Sequence, residues 1–331
     1  MNNTSMNFKS FTQAILEKLQ EMLGDNYSVF SQKVKKNNGI ELTGVIAKRK
    51  ERNAAPTIYI NEFYHEGMTE EEMNKIGDLL YHDFQAAEFE DNVDLSGFTE
   101  FEKAKKQLVF KLVHAQRNEE LLKLIPHKLF HNLAVVFYYT VQEPPFYGKA
   151  AILVYNSHMQ QWGTNLEQLY QAAMENAPVL FPSTIDSMQK VMVGILEEEL
   201  KEDILSDENR KDDGLFEENW VEELAGQMIE DMKEMKMPMY VLTNQQKLYG
   251  AACMLYPGVL KAFGEKTGQD FYVLPSSVHE VILVPATPGT DERTLWAIVT
   301  EINRTQVAED EILADSIYYY SRNMDKILRI S

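Results

Sequence analysis

A single cysteine, Cys253, stands in the 331 residues, so the chain closes no internal disulfide and assembles no thiolate cluster for zinc or iron–sulfur. No stretch reaches the roughly 20 uninterrupted apolar residues that span a bilayer, and Met1 to Asn7 lacks the basic-then-apolar pattern of an export signal. The expectation is a cytoplasmic protein with no membrane contact. The phosphate cradles are missing too: there is no glycine-rich dinucleotide turn and no Walker loop with its lysine. No serine nucleophile elbow occurs, and His65-Glu66 and His279-Glu280 lack the second histidine of a metalloprotease helix. Nucleotide binding and the common hydrolase signatures are therefore not indicated, and no cofactor is expected.

What is present suits a folded body. Hydrophobic residues make up 44% and aromatics 11%, enough apolar surface to offset the entropy of ordering the chain. The formal charge is −19, and it is unevenly spread: Glu197 to Lys236 holds 16 acidic against 5 basic residues, a local charge of −11. Lys33, Lys35, Lys36, Lys48, Arg49, Lys50 and Arg52 crowd one predicted hairpin. The spacing thus predicts a polarised molecule, although each charge run also reads as ordinary solvated surface.

Phe8, Phe11, Ile15, Leu19, Met22 and Leu23 fall at helical spacing, with Gly24 as a stop. Asn37-Asn38-Gly39 separates two strand-like runs, Val29 to Lys36 and Ile40 to Lys48, and Thr57 to Ile60 adds a third strand. Thr69 with Glu72 forms a capping box ahead of a second helix. Further on, Phe98 to Gln107 reads as helix, and Leu108 to Val113, Leu133 to Val141 and Ala150 to Asn156 as strands. Thr164 with Glu167 predicts another capped helix, ended by Pro178. Helices follow near Ile185 to Leu205 and Phe216 to Met235. Strand character returns in Tyr240 to Thr243, Leu248 to Leu255, Phe271 to Leu274, Val278 to Pro285 and Ser316 to Tyr320, interrupted by helices that open at Pro257 and Thr290. The fold class is α+β: two lobes of mainly antiparallel sheet with packed helices, plus an acidic helical pair. The divisions are an N-terminal lobe over 1–125, a central region with the acidic segment over 126–236, and a C-terminal lobe over 237–331.

The run Asn156-Ser157-His158-Met159-Gln160-Gln161-Trp162-Gly163-Thr164, the helix end Ala173-Met174-Glu175-Asn176-Ala177, and the segments Tyr240 to Asn244, Tyr249 to Gly258 and Leu274 to Glu280 resemble an uncharacterised family of clostridial and gut-bacterial proteins. Through its Trp162-Gly163-Thr164 helix start the chain is also distantly similar to the YtpQ-like family. Neither family carries an assigned reaction. The resemblance implies a bacterial, intracellular setting and no catalytic residue.

Candidate chemistry is sparse. His127 and His131 are four apart, which places both imidazoles on one face for a metal that would still need a third ligand; surface or packing histidines are the simpler reading. Ser277 and His279, two apart at the entry of a predicted strand, share a face as a nucleophile and base would, whereas alternation sends His279 and Glu280 to opposite faces. The competing reading is a strand-entry turn built by Pro275 and the serines. Asn156 and His158 form a polar loop pair at a strand exit. Lys35 and Arg49 represent the basic hairpin, a nucleic-acid contact disfavoured by the overall charge. Cys253, within apolar surroundings, reads as a small core residue.

The expectation that follows is a non-catalytic binding or regulatory protein acting through charged surfaces on a basic protein partner. A hydrolase or other small-molecule enzyme around Ser277 and His279 is the alternative from a different class.

Overall fold

The computed structural model of the chain describes residues 6–87, 92–141, 150–195 and 237–330. The predicted helix Phe216 to Met235, the second half of Ile185 to Leu205 (196–205) and the acidic run Glu197 to Lys236 lie outside these residues.

The N-terminal part follows from its apolar spacing. Helix α1 (Phe8–Leu23) starts at Asn7, whose side chain accepts the Ser10 amide, and ends at Gly24 with φ 74°. Helix α2 (Glu70–Ala86) carries the full Thr69/Glu72 capping box. Both cover one face of an antiparallel sheet, β1 (Tyr27–Lys35), β2 (Glu41–Arg49) and β3 (Thr57–Tyr59), in that order. Phe11, Ile15, Leu19, Val45, Ile60, Leu80 and Phe84 form the core between them. At the hairpin tip Asn38 takes φ 61° and Gly39 φ 76°, conformations that asparagine and glycine tolerate best.

The second sheet is centred on β6 (Leu133–Val141), every residue of which is buried. It pairs β4 (Leu108–His114) along one edge, and β5 (His127–Phe130) then β7 (Ala150–Leu153) along the other. The third sheet is six-stranded and antiparallel, with the order β13 (Lys326–Arg329), β12 (Tyr318–Ser321), β10 (Phe271–Leu274), β11 (Val281–Pro285), β9 (Tyr240–Asn244) and β8 (Ser183–Ser187). One core joins the second and third sheets, with Phe110 and Phe137 from one and Phe271, Leu283 and Tyr318 from the other. Two single-turn helices, α3 (Phe101–Ala104) and α4 (Glu119–Leu122), precede and follow β4 in the chain. Helices α6 (Leu166–Leu180) and α7 (Val259–Thr267) add Leu169, Ala173, Leu260 and Phe263 to the core. Helix α8 (Glu292–Thr305) packs Leu295 and Val299 on the opposite face of the six-stranded sheet, against Leu274, Ile282 and Val284. The α+β class with antiparallel sheets and packed helices is therefore what the chain forms. Strand pairing crosses both of the anticipated divisions: β4 with β6 spans 125/126, and β8 with β9 spans 236/237.

Several local readings are corrected. Leu248 to Leu255 is not a strand; Gly250–Leu255 is a 3-10 helix, buried from Gly250 to Met254. The reason is contact on all sides: a Cβ on Gly250 would lie 2.5 Å from the His279 carbonyl oxygen and 2.8 Å from the Asn244 amide, so an unbroken run of small apolar residues carries no alternation from which to read a strand. Pro178 does not end α6, which runs on to Leu180; the capping pair of that helix is Asn165 with Gln168 rather than Thr164 with Glu167. The strand Ser183–Ser187 takes up the start of the helix expected near Ile185 to Leu205, and helix begins only at 188. Asn156 and His158 lie on a short helix, α5 (Asn156–Trp162), rather than in a loop.

Candidate functional site

The tip of the β1–β2 hairpin reaches across to the main body. Asn37 Nδ2 donates to the Asp310 carbonyl at 2.9 Å, and Asn38 Nδ2 to those of Glu309 and Ile312 at 2.8 and 2.7 Å. Beside the seam this docking creates lie Lys111, Tyr249 and His279.

Its centre is Lys111, flanked in β4 by the apolar Val109, Phe110, Leu112 and Val113. Its Nζ lies 4.3 Å from the centre of the Tyr249 ring, within range of a cation–π contact. Burial lowers its pKa to about 8, the positive charge of Lys36 adds to that shift, and Asp310 opposes it. Tyr249 has a left-handed backbone, φ 53°. Its ring meets Tyr138 edge-on at 5.5 Å and stacks on His279 at 5.6 Å. Burial raises the Tyr249 phenol, and Asp310 and Glu311 raise it further. Burial also raises Glu280, against the opposing pull of His279.

His279, stacked on Tyr249, brings the Ser277/His279 pair to the same seam. His279 Nδ1 accepts the Tyr249 amide at 3.2 Å, and its Nε2 lies 3.4 Å from Glu311 Oε1. The Ser277 hydroxyl, buried, accepts the backbone N–H of His279 at 3.0 Å. Both imidazole nitrogens thus face groups other than the Ser277 hydroxyl, and the His279 side chain keeps only 23% of its surface. An activated serine needs its hydroxyl on the imidazole and a second site for the oxyanion. The strand β11 starts at Val281, past both His279 and Glu280.

The remaining candidates are dispersed. His127 Nδ1 contacts the Ile125 carbonyl, while His131, in a left-handed turn at φ 54°, contacts the Ile327 carbonyl. The turn breaks the alternation that would have aligned the two rings, and no group of three or more metal-binding side chains gathers among the described residues. Asn156 Nδ2 donates to the Lys123 carbonyl, and His158 Nδ1 accepts the Tyr155 amide. The His158 ring packs edge-on against Phe98, and burial lowers its pKa. Both residues fasten α5 in place. Lys35 is exposed opposite Glu41 in the hairpin register, and Arg49 lies at the other end, opposite Tyr27. Cys253 is fully buried and burial pushes its thiol up to about 12, as a core residue requires.

A surface groove that the sequence did not point to runs beside α6. It holds about 550 Å³ and is lined by the half-buried Tyr170, Met174 and Pro178 and by the exposed Pro257, Glu167 and Glu175, which form its rim. Lys128, from β5, places its Nζ 3.9 Å from the Tyr170 ring centre and 3.7 Å from Glu167. Because proline has no N–H, position 178 gives no helical bond to the Met174 carbonyl, which leaves that acceptor without its usual partner in the helix.

A family model described as a family of unknown function, DUF5688, matches residues 8–322. Neither a curated protein nor a solved structure matches the chain.

Proposed function

We propose that this chain, which belongs to the DUF5688 family of unknown function, is a non-catalytic binding protein that takes a basic segment of a partner protein. The observation that carries this reading is the groove beside α6. An ammonium group of the chain itself already rests there on Tyr170 and beside Glu167, which is how an aromatic face and a carboxylate hold a cation together. Glu175, exposed at the same rim, extends the acidic edge along a helix that a lysine- or arginine-bearing segment can follow. The acidic run Glu197 to Lys236, at −11, strengthens the long-range attraction for such a partner.

The enzyme alternative draws no support from Ser277, whose hydroxyl is engaged by backbone rather than by the imidazole. A nucleic-acid role for the hairpin is weakened likewise: Lys33 Nζ is 2.5 Å from Glu41, and Lys36 lies 4.1 Å from the Tyr59 ring centre. The buried lone cysteine fits a reducing compartment, so we place the protein in a bacterial cytoplasm, the setting that the clostridial and YtpQ-like resemblances imply.

The test is calorimetric titration of the full chain with a lysine-rich peptide and with its glutamate counterpart. Saturable binding of the basic peptide alone, weakened by added salt, is expected. Binding to neither, or equally to both, overturns the reading.

A further inference from the structure

We infer that the side-chain amine of Lys111, in the seam between the β1–β2 hairpin and the body, is a covalent site for a small uncharged aldehyde, which it binds as an imine.

Three observations carry this. The first is an amine without an anion. Lys111 is only partly exposed, between buried apolar neighbours in β4. Among the described residues no carboxylate lies within 4.0 Å of its Nζ and no hydrogen bond engages it. What it rests on is the face of the Tyr249 ring, at 4.3 Å, a weaker hold on the ammonium form than a paired carboxylate gives. A lysine withdrawn from water without such a partner favours the neutral amine, and the neutral amine is the nucleophile.

The second is a cation nearby. Lys36, whose Nζ sits over the Tyr59 ring at 4.1 Å, opposes a further positive charge at Lys111. Burial and then Lys36 bring the Lys111 pKa down to about 8, whereas an ordinary lysine, near 10.4, keeps almost all of its protons at neutral pH.

The third is the wall of the seam. Asn37 and Asn38 fasten the hairpin tip to the loop 309–312. Asp310 of that loop acts on both Lys111 and Tyr249, and Glu311 acts on Tyr249 as well. These carboxylates stop short of pairing with the amine, yet they repel a carbonyl compound that is itself an anion. The tip, the loop and the ring meet around the amine, which restricts the electrophile to a small one.

The step balances without a further reactant. The amine nitrogen adds to the carbonyl carbon, the π electrons move to oxygen, and a proton passes from nitrogen to that oxygen. The hydroxyl so formed leaves with the second N–H proton as water, and a C=N bond remains.

The experiment is reductive labelling of the full chain with a small excess of propanal and cyanoborohydride, read at each lysine by mass spectrometry of its peptides. The exposed Lys9, Lys261 and Lys266 are the references. At pH 7 Lys111 is expected to label about tenfold faster than these, its larger neutral share outweighing its lower basicity and partial burial. Its rate is expected to rise through a midpoint near pH 8, and its preference to vanish in denaturant. Glyoxylate, an aldehyde that carries a carboxylate, is expected to show a preference for Lys111 about threefold smaller than that of propanal. Labelling of Lys111 no faster than the references, a preference that survives denaturation, or an equal preference for glyoxylate overturns the assignment.

Discussion

Asn38 and Asn118 exchange two hydrogen bonds across the seam between hairpin and body: the Asn38 amide donates to Asn118 Oδ1 at 3.0 Å, and Asn118 Nδ2 donates to Asn38 Oδ1 at 3.2 Å. Asn118 is buried, and its Nδ2 also donates to the His114 carbonyl at 2.9 Å. The pair therefore connects the N-terminal sheet to the end of β4 and orders the ground on which Lys111 stands.

Asn118→Ala is expected to destabilise the protein by about 1–3 kcal/mol, since it removes the side-chain bonds and leaves buried partners unsatisfied. Hydrogen exchange should read this first as faster amide exchange in β1 and β2, because the hairpin tip loses its hold. Exchange confined to the wild-type rate there would show that the asparagine pair does not fasten the hairpin.

Lys111 gives the chain a distinctive alkaline profile. Its folded pKa, about 8, lies below the value near 10.4 of an unfolded lysine, so between these values the unfolded state binds more protons and stability rises with pH. Above about pH 10 the trend reverses, because Tyr138, Tyr249 and Tyr256 have raised phenol pKa values and the unfolded chain loses those protons first. Denaturant midpoints from pH 7 to 11 should thus pass through a maximum. In Lys111→Met the rise should be absent, and that variant should be more stable than wild type at pH 7 by about 1–3 kcal/mol. A flat wild-type profile over pH 8 to 10 would contradict the burial of this amine.

Cys253 supplies a check on the core. With its thiol buried and pushed up to about 12, the native protein should resist thiol-specific alkylation at pH 8 and react stoichiometrically once unfolded in denaturant. Fast labelling of the native chain would mean that the 3-10 helix Gly250–Leu255 opens.

Much of the N-terminal architecture was legible because its signals are local. The Gly24 stop of α1, the Thr69/Glu72 box and the Asn37-Asn38-Gly39 turn each act within a few residues. The errors arose where distant contacts decide. A Cβ on Gly250 would run into the His279 carbonyl, so the approach of a distant segment, not local alternation, shapes that apolar run. Ser183–Ser187 is a half-exposed edge strand, too short and polar to show a period. The seam joins Lys111, Tyr249 and His279 from three separated segments, so no spacing reveals it. One signal was available: a single lysine within Leu108-Val109-Phe110-Lys111-Leu112-Val113, where a charge has no place without a reason.

Lys128 is both evidence for the groove and a competitor within it. Lys128→Met removes the ammonium group from Tyr170 and Glu167, so a lysine-rich peptide should bind about two- to fivefold more tightly, in keeping with the modest worth of an exposed ion pair. Weaker binding in this variant would mean that Lys128 belongs to the recognition surface instead.

The most direct test of the proposed function is the affinity of the paired substitution Glu167→Gln and Glu175→Gln for the lysine-rich peptide, measured by calorimetry at low salt. Both residues are exposed and neither supports the core, so the fold should persist. The acidic rim predicts a loss of about three- to tenfold, from two surface charges of modest strength each, and a shallower dependence on salt. An affinity and a salt dependence equal to wild type would contradict it.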